Sequence, residues 1–64
     1  MFRSEYHIRI WSSPDNYWFV REEYDWDEAV ETAKTLSFIH NTAVTIGYYN
    51  EVDAVFFPKE NIDV

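Results

Sequence analysis

In the first third of the chain, alternate residues form two distinct faces, a pattern that predicts the two strands of a β-hairpin. In residues 5–11, one face carries Tyr6, Ile8 and Ile10, and the other carries His7, Arg9 and Trp11. Residues 12–16 are rich in turn formers, including Pro14. Residues 17–24 predict the second strand, with Trp18 and Val20 on one face and Tyr17, Phe19 and Arg21 on the other.

The pattern then changes to the period of a helix. Asp25 is placed to cap it, with Glu28 three residues later as in a capping box. The helix is predicted to reach His40, and Asn41 is a plausible stop. Its core stripe consists of Trp26, Ala29, Val30, Ala33, Leu36 and Ser37. Phe38 and Ile39 fall off that stripe.

Two further strands are predicted at residues 42–49 and 52–57. In the third, Val44, Ile46 and Tyr48 share a face, and Gly47 indicates a bulge or a close backbone approach. The register of the fourth stays open at this point, because Val52, Ala54 and Phe56 compete with Val55 and Phe57 for the inward face. Residues 58–64 are expected to form a frayed tail.

This order of elements predicts an α+β fold in one domain, residues 1–64. The simplest arrangement is strand-strand-helix-strand-strand, a four-stranded and largely antiparallel sheet with the helix packed on one face. Aromatic residues make up 20% of the chain, and a single helix covers only one side of a sheet. We therefore expect a dimer or partner interface on the open face, formed by Arg9, Trp11, Tyr17, Phe19, Arg21 and Tyr49. Of the two, we expect a homodimer.

Acidic residues are concentrated where the hairpin meets the helix. The cluster consists of Glu22, Glu23, Asp25, Asp27, Glu28 and Glu31, in a chain with a formal net charge of −7. Acids in the first turn of a helix are stabilising through capping and the macrodipole, so the run has a purely structural interpretation. Its alternative role is binding a partner protein with a basic surface. The same charge argues against direct nucleic-acid binding and against anionic membranes.

The sequence predicts no catalytic, cofactor-binding or metal site, and hence no enzyme. There is no cysteine, which excludes disulfides and thiolate zinc sites. The two histidines, His7 and His40, lie on different elements without the i, i+4 spacing of a helical metal site. The N-terminus lacks the apolar run of a secretion signal, and no stretch is long enough to span a bilayer. We therefore expect a cytoplasmic protein.

The segment Glu28-Ala29-Val30, with Ala33 and Leu36, follows a tryptophan-bearing hairpin and precedes Ala43-Val44-Thr45-Ile46. This pattern resembles small two-strand, helix, two-strand domains of unknown function. It is also similar to compact acidic proteins that phages encode against host defence, including some anti-CRISPR proteins. That resemblance implies a non-enzymatic inhibitor in the host cytoplasm that occupies the basic surface of a nucleic-acid-handling defence complex. The alternative is a homodimeric accessory domain whose acidity serves solubility only.

Overall fold

The computed structural model describes residues 5–58 and confirms the predicted element order and fold class. The elements are β1 (Tyr6–Ser13), β2 (Asn16–Glu23), α1 (Trp26–His40), β3 (Val44–Tyr48) and β4 (Glu51–Phe56). The predicted frayed tail, apart from Pro58, lies outside the described residues.

All the strand pairings are antiparallel, and the strand order is β2-β1-β3-β4. Because β2 and β3 both pair with β1, they run parallel to each other, and α1 is the crossover between them. The sequence did not predict this order. It places the N-terminal strand in the interior of the sheet and makes β2 and β4 its edges.

Both ends of α1 follow the local signals in the sequence. The Glu28 backbone N–H donates to Asp25 Oδ2 over 3.1 Å, so Asp25 is the N-cap. At the other end Asn41 adopts a left-handed conformation (φ 54°), and its N–H donates to the Ser37 carbonyl. These contacts span three or four residues, which is why the sequence pattern alone located the helix.

The core lies between α1 and the central strands. It consists of Ile8, Ile10, Val44 and Ile46 from the sheet and Ala29 and Ala33 from the helix. Burying a side chain as large as isoleucine contributes roughly 1.5–3 kcal/mol, so the four sheet residues dominate the stability. Trp26, predicted for the core stripe, lies at its margin, 39% exposed and edge-on to the Tyr6 ring.

Pairing with β3 fixes the register of β4 that the sequence left open. Val44 pairs with Phe56 and Ile46 with Ala54, which turns Ala54 and Phe56 toward the core and leaves Val55 exposed. The register shifts after Ile46, and a Cβ built on Gly47 would lie 2.0 Å from the Glu51 carbonyl oxygen. Gly47 was predicted to mark a bulge or a close backbone approach. The close approach is present at Gly47, and the bulge lies opposite it, with Asp53 as the extra residue of β4.

A second bulge changes which side chains of β2 lie on each face of the sheet, so the prediction for Arg21 was wrong. Ile8 pairs with Arg21 but Arg9 pairs with Phe19, so Val20 is an extra residue in the edge strand. The alternation therefore slips by one position, and Arg21 lies on the helix side of the sheet rather than on the open face with Tyr17 and Phe19. Tyr48 also departs from the prediction: its ring contacts His7 instead of joining Val44 and Ile46 in the core.

Candidate functional site

The first candidate is a depression where β2 meets the start of α1, which we call the acidic depression. It has a volume of about 420 Å³ and is lined by Arg21, Glu23, Asp27, Glu28, Glu31 and Thr32. Asp27, Glu28 and Glu31 are exposed. Because residues three and four apart on a helix are neighbours, these three carboxylates lie on one side of α1. The local field favours a cation.

Glu23 anchors the floor of this depression rather than its rim. It is only 7% exposed; its Oε2 accepts a hydrogen bond from Thr32 Oγ1 (3.0 Å) and forms an ion pair with Arg21 Nε (3.0 Å). The contacts tie the edge strand to the helix and place the Arg21 guanidinium beside the acidic rim. Glu23 therefore acts within the fold, whereas Asp27, Glu28 and Glu31 are exposed to solvent.

The six clustered acids of the sequence consequently do not form one surface. Glu22 pairs with His7 and lies on the opposite face from Glu23, while Asp25 is engaged as the helix cap. The Tyr24 hydroxyl donates to Glu22 Oε1 over 2.9 Å. This hydrogen bond, together with the negative charge of Glu22, raises the pKa of Tyr24 above its ordinary value. The structure thus separates the cluster into three groups with different neighbours.

The second candidate is the open face of the sheet, where the predicted residues pack largely on one another. The Trp11 and Tyr17 rings lie 4.6 Å apart, and the Arg9 guanidinium lies 5.3 Å from the Tyr17 ring. Arg9 is only 8% exposed, and Trp11 Nε1 donates to Thr45 Oγ1 over 3.0 Å. Tyr17 and Phe19 stay half-exposed. Four of the six predicted interface residues are thus together on this face; Arg21 is not, and Tyr49 lies farther along beside His7.

An apolar depression of about 440 Å³ lies at the hairpin end of this face. Its lining includes Trp11, Pro14, Thr45, Val55 and Phe57. The Thr42 hydroxyl donates to the Trp11 carbonyl and Trp11 N–H donates to the Ala43 carbonyl, which holds the segment after α1 against the hairpin. The sequence did not locate this depression, because it depends on the register of β4 and on β1 lying beside β3.

The third candidate surrounds His7, which is 6% exposed. Its Nε2 lies 2.9 Å from Glu5 Oε2 and 3.7 Å from Glu22 Oε2. The rings of Phe19, Tyr48 and Tyr49 pack around the imidazole at centroid distances of 5.1–5.4 Å. Glu5 was not among the predicted site residues. The signal was present, because alternation puts residues two apart on the same face of a strand.

The exposed end of α1 carries Phe38 and Ile39, as their position off the core stripe predicted. The His40 ring lies edge-on to Trp18, 6.2 Å away, and is remote from His7 in both sequence and element. Within residues 5–58 no helix combines the length and apolarity needed to cross a bilayer.

The chain matches no protein-family model, no curated protein and no solved structure.

Proposed function

We propose that this protein is a non-enzymatic binding protein that docks through the acidic depression onto a basic surface of another protein. The observation that carries the proposal is the convergence of three exposed carboxylates, Asp27, Glu28 and Glu31, around one open concavity of about 420 Å³. Such a concavity accommodates a lysine or arginine side chain of the partner. The net charge of −7 strengthens the attraction over a longer range.

Helix stability alone does not account for this arrangement. Asp25 already supplies the cap, and the macrodipole favours acids only within about the first turn. Asp27 and Glu28 lie in that turn, but Glu31 lies beyond it. The third carboxylate adds repulsion within the group, which a cationic partner would relieve.

We propose more specifically that the partner is a nucleic-acid-handling defence complex. The carboxylates would then occupy a groove that normally binds phosphates and so inhibit the complex. A chain of this charge is repelled by the nucleic acid itself, so the inhibitor would bind the protein component. Cytoplasmic location in the host cell follows from such a target.

The test compares two variants with the same net charge. The first, Asp27→Asn/Glu28→Gln/Glu31→Gln, neutralises the acidic depression; the second, Asp15→Asn/Glu51→Gln/Asp53→Asn, neutralises three acids elsewhere on the surface. Association with an arginine-rich peptide is followed by stopped flow at increasing salt, and capture of basic proteins from a host lysate is quantified. Complementary charge acts mainly on the association rate, so the first variant should associate more slowly and with a weaker salt dependence. Equal behaviour of the two variants would show that only net charge matters.

A second candidate function is that of a homodimeric accessory domain, favoured by the apolar depression at Trp11, Val55 and Phe57. Covering a large apolar side chain contributes roughly 1.5–3 kcal/mol, so burying several would rival the ~3–5 kcal/mol expected for a single core of this size. Light scattering at micromolar concentration should then give twice the chain mass of 7.8 kDa, and Phe57→Lys should return it to one chain. A monomeric wild-type protein would exclude this function.

A further inference from the structure

We infer that Glu5, His7 and Glu22 form a binding site for one divalent transition-metal ion. Their donor atoms all lie within 4.8 Å of one another, on one face of the β1–β2 hairpin. Imidazole nitrogen together with two carboxylate oxygens is a donor set that suits Zn²⁺ and similar first-row ions. The site is separate from the acidic depression and independent of the proposed partner binding.

The spacing of the donors fits such an ion. Zn–N and Zn–O bonds are about 2.0–2.2 Å long, so two donors at a tetrahedral angle lie about 3.4 Å apart. The distances from His7 Nε2 to Glu5 Oε2 and Glu22 Oε2, 2.9 and 3.7 Å, fall on either side of this value. Three protein ligands leave one coordination position for water or another ligand.

Hydrogen bonding within the cluster does not link His7 to both carboxylates. One imidazole nitrogen carries at most one proton, yet two carboxylates face His7 Nε2. Glu5 is at hydrogen-bond distance, whereas 3.7 Å to Glu22 is too long. A divalent cation in place of the proton would attract both carboxylates at once and offset their mutual repulsion.

The surroundings also resemble those of a metal site. Tyr24 donates to Glu22 Oε1, which leaves Oε2 as the oxygen facing His7. Such outer hydrogen bonds orient ligands and raise metal affinity. The rings of Phe19, Tyr48 and Tyr49 shield the imidazole, and a shielded site strengthens electrostatic attraction to the ion.

The test is calorimetric titration of tag-free, chelator-treated protein with ZnCl₂. The wild type should bind one Zn²⁺ per chain, and millimolar Mg²⁺ should not compete, because Mg²⁺ prefers an all-oxygen octahedral shell. Glu22→Gln and His7→Gln should abolish this binding. His40→Gln is the matched control, since it removes the other imidazole and should leave binding unchanged.

The Tyr24→Phe variant tests whether the hydrogen bond from Tyr24 to Glu22 supports a metal site or whether the three ligands lie together by chance. Tyr24 is exposed and is not a ligand, so the variant folds normally, yet it should bind Zn²⁺ about 10–100-fold more weakly. The ¹⁵N resonance of His7 Nε2 should shift on addition of Zn²⁺ while those of His40 stay in place. If His7→Gln does not fold, Glu22→Gln carries the test, because its side chain is 37% exposed. Zn²⁺ binding that persists unchanged in Glu22→Gln, or its absence in the wild type, would overturn the inference.

Discussion

Replacing Gly47 by alanine should unfold much of the β3–β4 hairpin, because the added methyl has no room. The new Cβ would lie 2.0 Å from the Glu51 carbonyl oxygen and 3.1 Å from Val52 Cα, both backbone atoms. The oxygen would have to retreat by about 1.4 Å or more to reach normal contact, and side-chain rotamer changes cannot move a backbone atom that far. β4 is an edge strand whose ladder hydrogen bonds, among the described strands, go to β3 alone, so that ladder would be broken locally.

Overpacking lowers the free energy of unfolding by about 1–3 kcal/mol, and each lost backbone hydrogen bond lowers it by roughly 0.5–1.5 kcal/mol more. Alanine leaves the unfolded chain less conformational entropy than glycine does, which stabilises the folded state by about 0.4–1 kcal/mol. We therefore expect a net decrease of about 2–4 kcal/mol in the free energy of unfolding. With a urea m-value near 1 kcal/mol/M, the midpoint of urea unfolding should fall by about 2–4 M. Tryptophan fluorescence measures this midpoint.

The matched control for Gly47→Ala is Val52→Ala, which alters the residue paired with Gly47 without touching the backbone. Val52 is half-exposed, so this variant should lose less than about 1 kcal/mol. A Gly47→Ala midpoint as high as that of the wild type would refute the close approach of Gly47 to the Glu51 carbonyl.

Three further predictions concern the helix start and the charge. Asp25→Ala should lower the free energy of unfolding by about 0.5–2 kcal/mol through loss of the cap, measured by urea titration, whereas exposed Asp27→Asn should change it by less than about 0.5 kcal/mol. Glu23→Gln should cost about 1–3 kcal/mol, and a double-mutant cycle with Thr32→Val should show coupling between the two side chains. Fluorescence anisotropy should detect no binding of single- or double-stranded DNA at about 150 mM salt; micromolar binding would contradict the charge argument.

Short-range patterns in the chain were enough to place the secondary-structure elements and the two helix caps. Alternation in β1 and the helical period of α1 are short-range patterns, and both caps act over three or four residues. The lone glycine of the chain marked the close approach at Gly47, because only a residue without a Cβ fits against another backbone. The fold class followed because one helix and two hairpins have few ways to bury their apolar faces.

Which side chains meet depends instead on how the strands pair in the folded chain. The bulge at Val20 depends on how β2 pairs with β1, and it moved Arg21 and Glu23 to the helix side of the sheet and Glu22 to the open face. The register of β4, and with it the apolar depression, was set by β3. The meeting of Glu5, His7 and Glu22 requires a cross-strand pair, and the aromatic wall around it requires β1 to lie between β2 and β3. Contacts between residues distant in sequence depend on strand pairing, which local periodicity does not encode.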